Sequence, residues 1–82
     1  MKAKHPKNNK AFNNAIKYLK KYNEANDLRD LADNNGDDKL YRKYDRQCEV
    51  IFDKYEDWCY ELPKYEVKRI EKSELYADTN HF

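Results

Sequence analysis

A single glycine, Gly36, accompanied by only two prolines in 82 residues, is the tightest constraint on what this chain can build. Tight turns between strands draw on Gly, Pro, Asn and Asp for their special backbone angles. A chain so short of the first two cannot supply the many turns of a sandwich or barrel. No run approaches the ~18–20 apolar residues of a membrane span, and no apolar stretch follows the basic N-terminus as in a secretory leader. The expectation is one soluble, cytoplasmic, all-α domain over residues 1–82, with 1–9 and 77–82 flexible.

Residues 1–9 lack periodicity, and Asn8 or Asn9 can cap a helix beginning near Lys10. Phe12, Ala15, Ile16, Leu19 and Tyr22 then follow the spacing of one helical face. Leu28, Leu31 and Ala32 drift off that face, which predicts a kink or a capped restart between Asn23 and Asp27, with Asn26 or Asp27 as the second cap. Asp33 to Asp38 is the clearest turn signal, with Gly36 where a left-handed residue closes a helix. Asp37 or Asp38 caps the next one. There Tyr41, Tyr44, Cys48, Ile51, Tyr55, Trp58 and Leu62 recur at alternating steps of three and four, an unbroken heptad seam, widened by Leu40, Phe52 and Cys59. Pro63 stops that helix. Val67, Ile70 and Leu75 suit a third, shorter helix with Pro63 in its first turn, although residues 65–70 also alternate as a strand would. A lone strand has no pairing partner, so the helix is favoured.

Charge fixes how the rods lie. The whole chain carries +1, but residues 1–22 hold seven lysines and no acid, 23–38 sum to −5, 39–46 to +3 and 47–61 to −4. An antiparallel hairpin about Gly36 sets each block beside its opposite, while a parallel pair opposes like charges throughout. Exposed pairs are worth only a few tenths of a kcal/mol, so this selects orientation more than it stabilises. The fold class that follows is an all-α antiparallel helical hairpin, about 10–33 and 38–62, with a shorter third helix after Pro63. The same charges suit an antiparallel homodimer of the second helix.

No catalytic constellation is legible. Both histidines are near the ends, Ser73 is the sole serine, and one glycine cannot make a phosphate loop. Cys48 and Cys59 sit about 16 Å apart along one helix, too far for a disulfide, and no Cys/His spacing suits zinc. Asp33 to Asp37 has the polar composition of a calcium loop. Aligning Gly36 with that loop's glycine, however, puts Leu31 at the first ligand and Arg42 at the closing carboxylate. A plain turn is expected, with no metal or cofactor.

What remains is recognition. The chain has eight tyrosines and few aliphatics, so its core must be thin and its surplus rings exposed. Tyr41, Tyr44, Tyr55 and Trp58, with Arg42 and Arg46 beside them, have the composition of a binding hot spot. The competing reading makes the same rings hairpin core. The leading expectation is a small non-enzymatic accessory or inhibitor protein that binds a larger protein through this face. Its excess of Phe, Tyr, Met, Ile, Asn and Lys over Gly, Ala, Arg and Pro points to an AT-rich source such as a phage or a low-GC bacterium. The alternative is nucleic-acid binding by the N-terminal Lys2, Lys4, Lys7 and Lys10, which have no evident partner.

Overall fold

A computed structural model describes residues 1–77 of the chain, so the expected loose tail beyond Ala77 lies outside the described residues. After a 3-10 turn at Pro6–Asn8 come α1 (Asn9–Asn34), α2 (Asp38–Tyr60), α3 (Lys64–Glu71) and the single turn α4 (Glu74–Ala77). There is no strand among them, and no helix among the described residues is long and apolar enough to cross a membrane. The molecule measures 45 × 20 × 16 Å, the length being that of α1 and α2 lying side by side.

The two long helices are antiparallel. Phe12, Ala15 and Leu19 at the start of α1 share a buried cluster with Tyr55, near the end of α2, and with Leu62. Tyr22 and Ala25 meet Cys48 further along, and Arg29 bonds Asp45 at 2.9 Å close to the turn. The turn itself is a Schellman closure: the Asp37 N–H donates to Ala32 C=O at 2.9 Å and the Gly36 N–H to Asp33 C=O at 3.1 Å. Gly36 has φ +68°, and the Asp37 side chain accepts from the Leu40 N–H at the start of α2. A Cβ at Gly36 meets no atom within 4 Å, so the cost of Gly36→Ala is conformational alone. It should destabilise by about 1–2 kcal/mol in urea melts, with helix content unchanged.

Two expectations about the long helices are corrected. The chain does not stop and restart between Asn23 and Asp27, because no glycine or proline interrupts α1, which runs unbroken from Asn9 to Asn34. Asn26 does not cap a new helix. Its side chain is buried and accepts from Arg29, which also holds Asp45. The charge blocks oppose one another as expected, yet the one cross-hairpin ion pair among the described residues joins Arg29 of the acidic block to Asp45 of the basic block. At the start of α1, Asn8 occupies the cap position without making a side-chain cap bond.

Leu62 and Pro63 turn the chain back so that Ile70 of α3 enters the cluster of Phe12 and Leu19. Pro63 stands just before α3, at the capping position, and not inside its first turn. α3 also contributes a fully buried acid. Glu66 accepts from Arg69 at 2.7 Å and from the backbone N–H of Lys4 at 2.9 Å. Burial pushes its carboxyl up, but the bonds from Arg69 and Lys4, with the charges of Arg69 and His5, outweigh it and hold Glu66 below the ordinary carboxylate value. The N-terminal segment is therefore docked: Lys4 on Glu66, Ala3 against the core and the His5 ring edge-on to Tyr65.

Candidate binding face

The buried positions of α2 nearest the core are Cys48 and Tyr55, seven residues apart, and Leu62 continues the same step just beyond the helix. One flank of this line carries Phe52 and Cys59. Phe52 stacks between Tyr22 and Tyr55, and Tyr55 lies 6.4 Å from Tyr76 of α4. The other flank carries Leu40, Tyr44, Ile51 and Trp58, spaced four, seven and seven, which places them on one side of the helix. Tyr44, Ile51 and Trp58 are half-buried, and Leu40 is 40% exposed.

This second flank looks away from α3 and α4. Lys54 of α2 sits 5.8 Å from the Tyr18 ring of α1, so the flank shares a side of the hairpin with Tyr18. The α4 turn is fixed on α1 by Asn23, whose side-chain amide donates to Leu75 C=O at 3.0 Å. Tyr18 and Asn23 are separated by about 140° around α1. With Tyr18 on the bare side goes Leu28, about 80° from it around the helix and 43% exposed, whereas Leu31, 56% exposed, lies about 140° from Tyr18 and points away from that face. The outcome is a hairpin covered on one face and open on the other, its open face lined by Tyr18 and Leu28 from one helix and Leu40, Tyr44, Ile51 and Trp58 from its neighbour.

Cations rim this face. The Nζ atoms of Lys17, Lys21 and Lys54 lie 5.7, 5.5 and 5.8 Å from the Tyr18 ring centroid, and that of Lys43 lies 5.7 Å from the Tyr44 ring. None of the four forms an ion pair among the described residues. Tyrosine rings attract ammonium groups through their quadrupole, and this draws the lysines away from the acids of α2.

The six residues read from the sequence as a hot spot separate into different directions. Tyr44 and Trp58 stand on the open face. Arg42 and Arg46 line a shallow basic groove with Lys39, Lys43 and Val50 along the outside of α2. Tyr41 is exposed near the turn, and Tyr55 is core at 3% exposure. Lys2, Lys4, Lys7 and Lys10 are all exposed, Lys4 being held by its main chain. Tyr18 was missed because it belongs to a lysine-rich stretch whose rings read as core. Leu28 and Leu31 did leave a signal, since both fall off the apolar stripe of α1.

The chemistry of the buried groups is structural. Burial pushes the thiols of Cys48 and Cys59 up, so both stay protonated. No three His, Cys, Asp or Glu side chains converge as a metal site among the described residues. Burial pushes the Tyr55 hydroxyl far up, the neighbouring Cys59 thiol adds to the shift, and no partner meets the hydroxyl with hydrogen-bond geometry. An unsatisfied buried hydroxyl costs about 1–3 kcal/mol, so Tyr55→Phe should leave stability equal or raise it. A clear loss in urea melts would show that the hydroxyl has a partner.

The chain matches no family model, no curated protein and no solved structure.

Proposed function

We propose that this protein is a non-enzymatic protein-binding module, an accessory or inhibitor of a larger protein, and that it binds through the open face of the hairpin. The observation that carries the reading is the exposure of Leu28 and Leu40 beside half-buried Tyr44 and Trp58, on the side that α3 and α4 leave bare. Burying a leucine is worth about 1.5–3 kcal/mol, and contiguous apolar surface of this kind marks interaction sites. Trp58 and Tyr44 supply the rigid aromatic anchors on which interfaces concentrate their energy.

The test is co-purification from the native host with a tagged full-length chain. Leu28→Asp with Leu40→Asp should abolish capture of the partner while the helical circular dichroism and the urea midpoint stay near wild type. Tyr65→Ala, an exposed ring on α3, should capture as wild type does. Retention of the partner by the double variant overturns the reading.

A second reading has its own observation. Lys2, Lys4, Lys7 and Lys10 are all exposed with no ion pair among the described residues, the arrangement a phosphate backbone requires. It predicts retardation of DNA or RNA at low salt that vanishes when the four lysines become glutamine.

A further inference from the structure

Resting on the protein-binding reading, we infer that the occupant of the open face is an acidic amphipathic helix of the partner, and not a second copy of this chain. The shape of the site selects a helix. Two antiparallel helices side by side leave a lengthwise groove between their ridges, into which a third helix seats at a spacing of about 8–10 Å. From Leu40 to Trp58 the groove runs about 27 Å, the length of about 18 helical residues. On α2, Leu40, Tyr44, Ile51 and Trp58 recur at four, seven and seven along this side, intervals that match one and two turns of a docked helix.

Charge selects the sign. Lys17 and Lys21 of α1 and Lys54 of α2 converge on the Tyr18 ring, each within 5.8 Å of its centroid. They form no ion pair among the described residues, although Glu24 and Asp57 stand one turn from Lys21 and Lys54. Lys43 adds a fourth cation over Tyr44. A carboxylate row flanking the partner's apolar stripe would meet these ammonium groups at the groove's edge, steering encounter and fixing which face docks. Two copies of this face would bring their lysine clusters together, which like-charge repulsion opposes. The homodimer that the charge blocks of α2 allow is thereby moved off this surface.

Trp58 is the single tryptophan and stands on the groove, so its emission reports occupancy directly. The probes are two synthetic amphipathic peptides of about 18 residues with one shared leucine stripe, one carrying glutamate and the other lysine at the flanking positions. The full chain should bind the glutamate peptide with a blue shift of Trp58, and affinity should fall as salt rises. Lys17→Glu with Lys21→Glu and Lys54→Glu should weaken it about tenfold or more and favour the lysine peptide. Circular dichroism and a Lys→Gln triple variant of intermediate affinity confirm that the fold survives. Equal affinity for both peptides overturns the acidic partner while leaving the face as a docking site. A Trp58 shift that tracks protein concentration alone, with doubling of mass in light scattering, overturns it in favour of a second copy. If neither peptide binds although a native partner is still captured through Leu28 and Leu40, the helix is wrong and the function stands; if capture also fails, both fall.

Discussion

Phe12→Ala should remove about 3–5 kcal/mol of stability, the cost of deleting a fully buried ring that its surroundings cannot refill. The magnitude follows from where Phe12 lies. It packs with Leu19, Leu62 and Ile70, so one ring touches α1, the α2–α3 link and α3, and the Arg69 guanidinium covers it at 5.6 Å from the centroid. A domain of this size has in total about 4–12 kcal/mol to lose, so the variant should be largely unfolded at moderate urea. Leu28→Ala, made at a position 43% exposed, should lower the stability by about 0.5 kcal/mol or less. Comparable costs at the two positions would mean that the covered and open faces are wrongly assigned.

The second large effect concerns Glu66. Replacing it with alanine leaves the Lys4 N–H without its acceptor and removes the partner of Arg69, so the N-terminal segment and α3 should loosen together. Hydrogen exchange at the Lys4 amide should accelerate about tenfold or more, because the only barrier to local opening there is this bond and the packing it positions. The pH dependence has a fixed sign. The folded carboxyl titrates below its unfolded value of about 4.3, so ionised Glu66 contributes stability that is fully present above that pH and is lost as pH falls through the lower, folded value. Urea melts between pH 6 and 2.5 should show this loss, and Glu66→Gln should flatten the part that Glu66 supplies. A slope identical in wild type and Glu66→Gln would show that the carboxylate is not held as described.

Much of the fold could be read from residue pattern. Gly36 and Asp37 announced the turn because their roles are local: a left-handed backbone and a side chain reaching three residues on. The antiparallel pairing could be read from the charge blocks, since orientation depends on their sum and not on individual contacts. The course of α1 could not. Its apolar stripe shifts sides near Asn26, and periodicity alone cannot distinguish a bent helix from a straight one that lets Leu28 and Leu31 face outward. Glu66 was equally hidden. An acid in a charged segment reads as surface until the fold brings the Lys4 backbone to it.

The binding face was half legible. The heptad seam of α2 correctly collected Tyr44, Ile51, Tyr55 and Trp58 on one side of a helix, but it could not say which side of that seam α1 would cover. The answer depends on Ala15, Ala25 and Ala32, whose small side chains are all buried on α1. They leave room for Cys48 and Tyr55 at the contact, and Tyr44 and Trp58 stay at its edge. Tyr55 is thereby lost to the interior, while Tyr18, a ring from the other helix, joins the open face.

The six leucines divide the molecule cleanly enough to test this account in one measurement. Methyl relaxation in the presence of a soluble gadolinium chelate reads the solvent access of each side chain in the free protein. Strong enhancement is expected at Leu28, Leu31 and Leu40 and almost none at Leu19 and Leu62. Protection of Leu28 and Leu40 equal to that of Leu19 would mean that the open face is already filled, and would contradict the binding surface on which the proposed function depends.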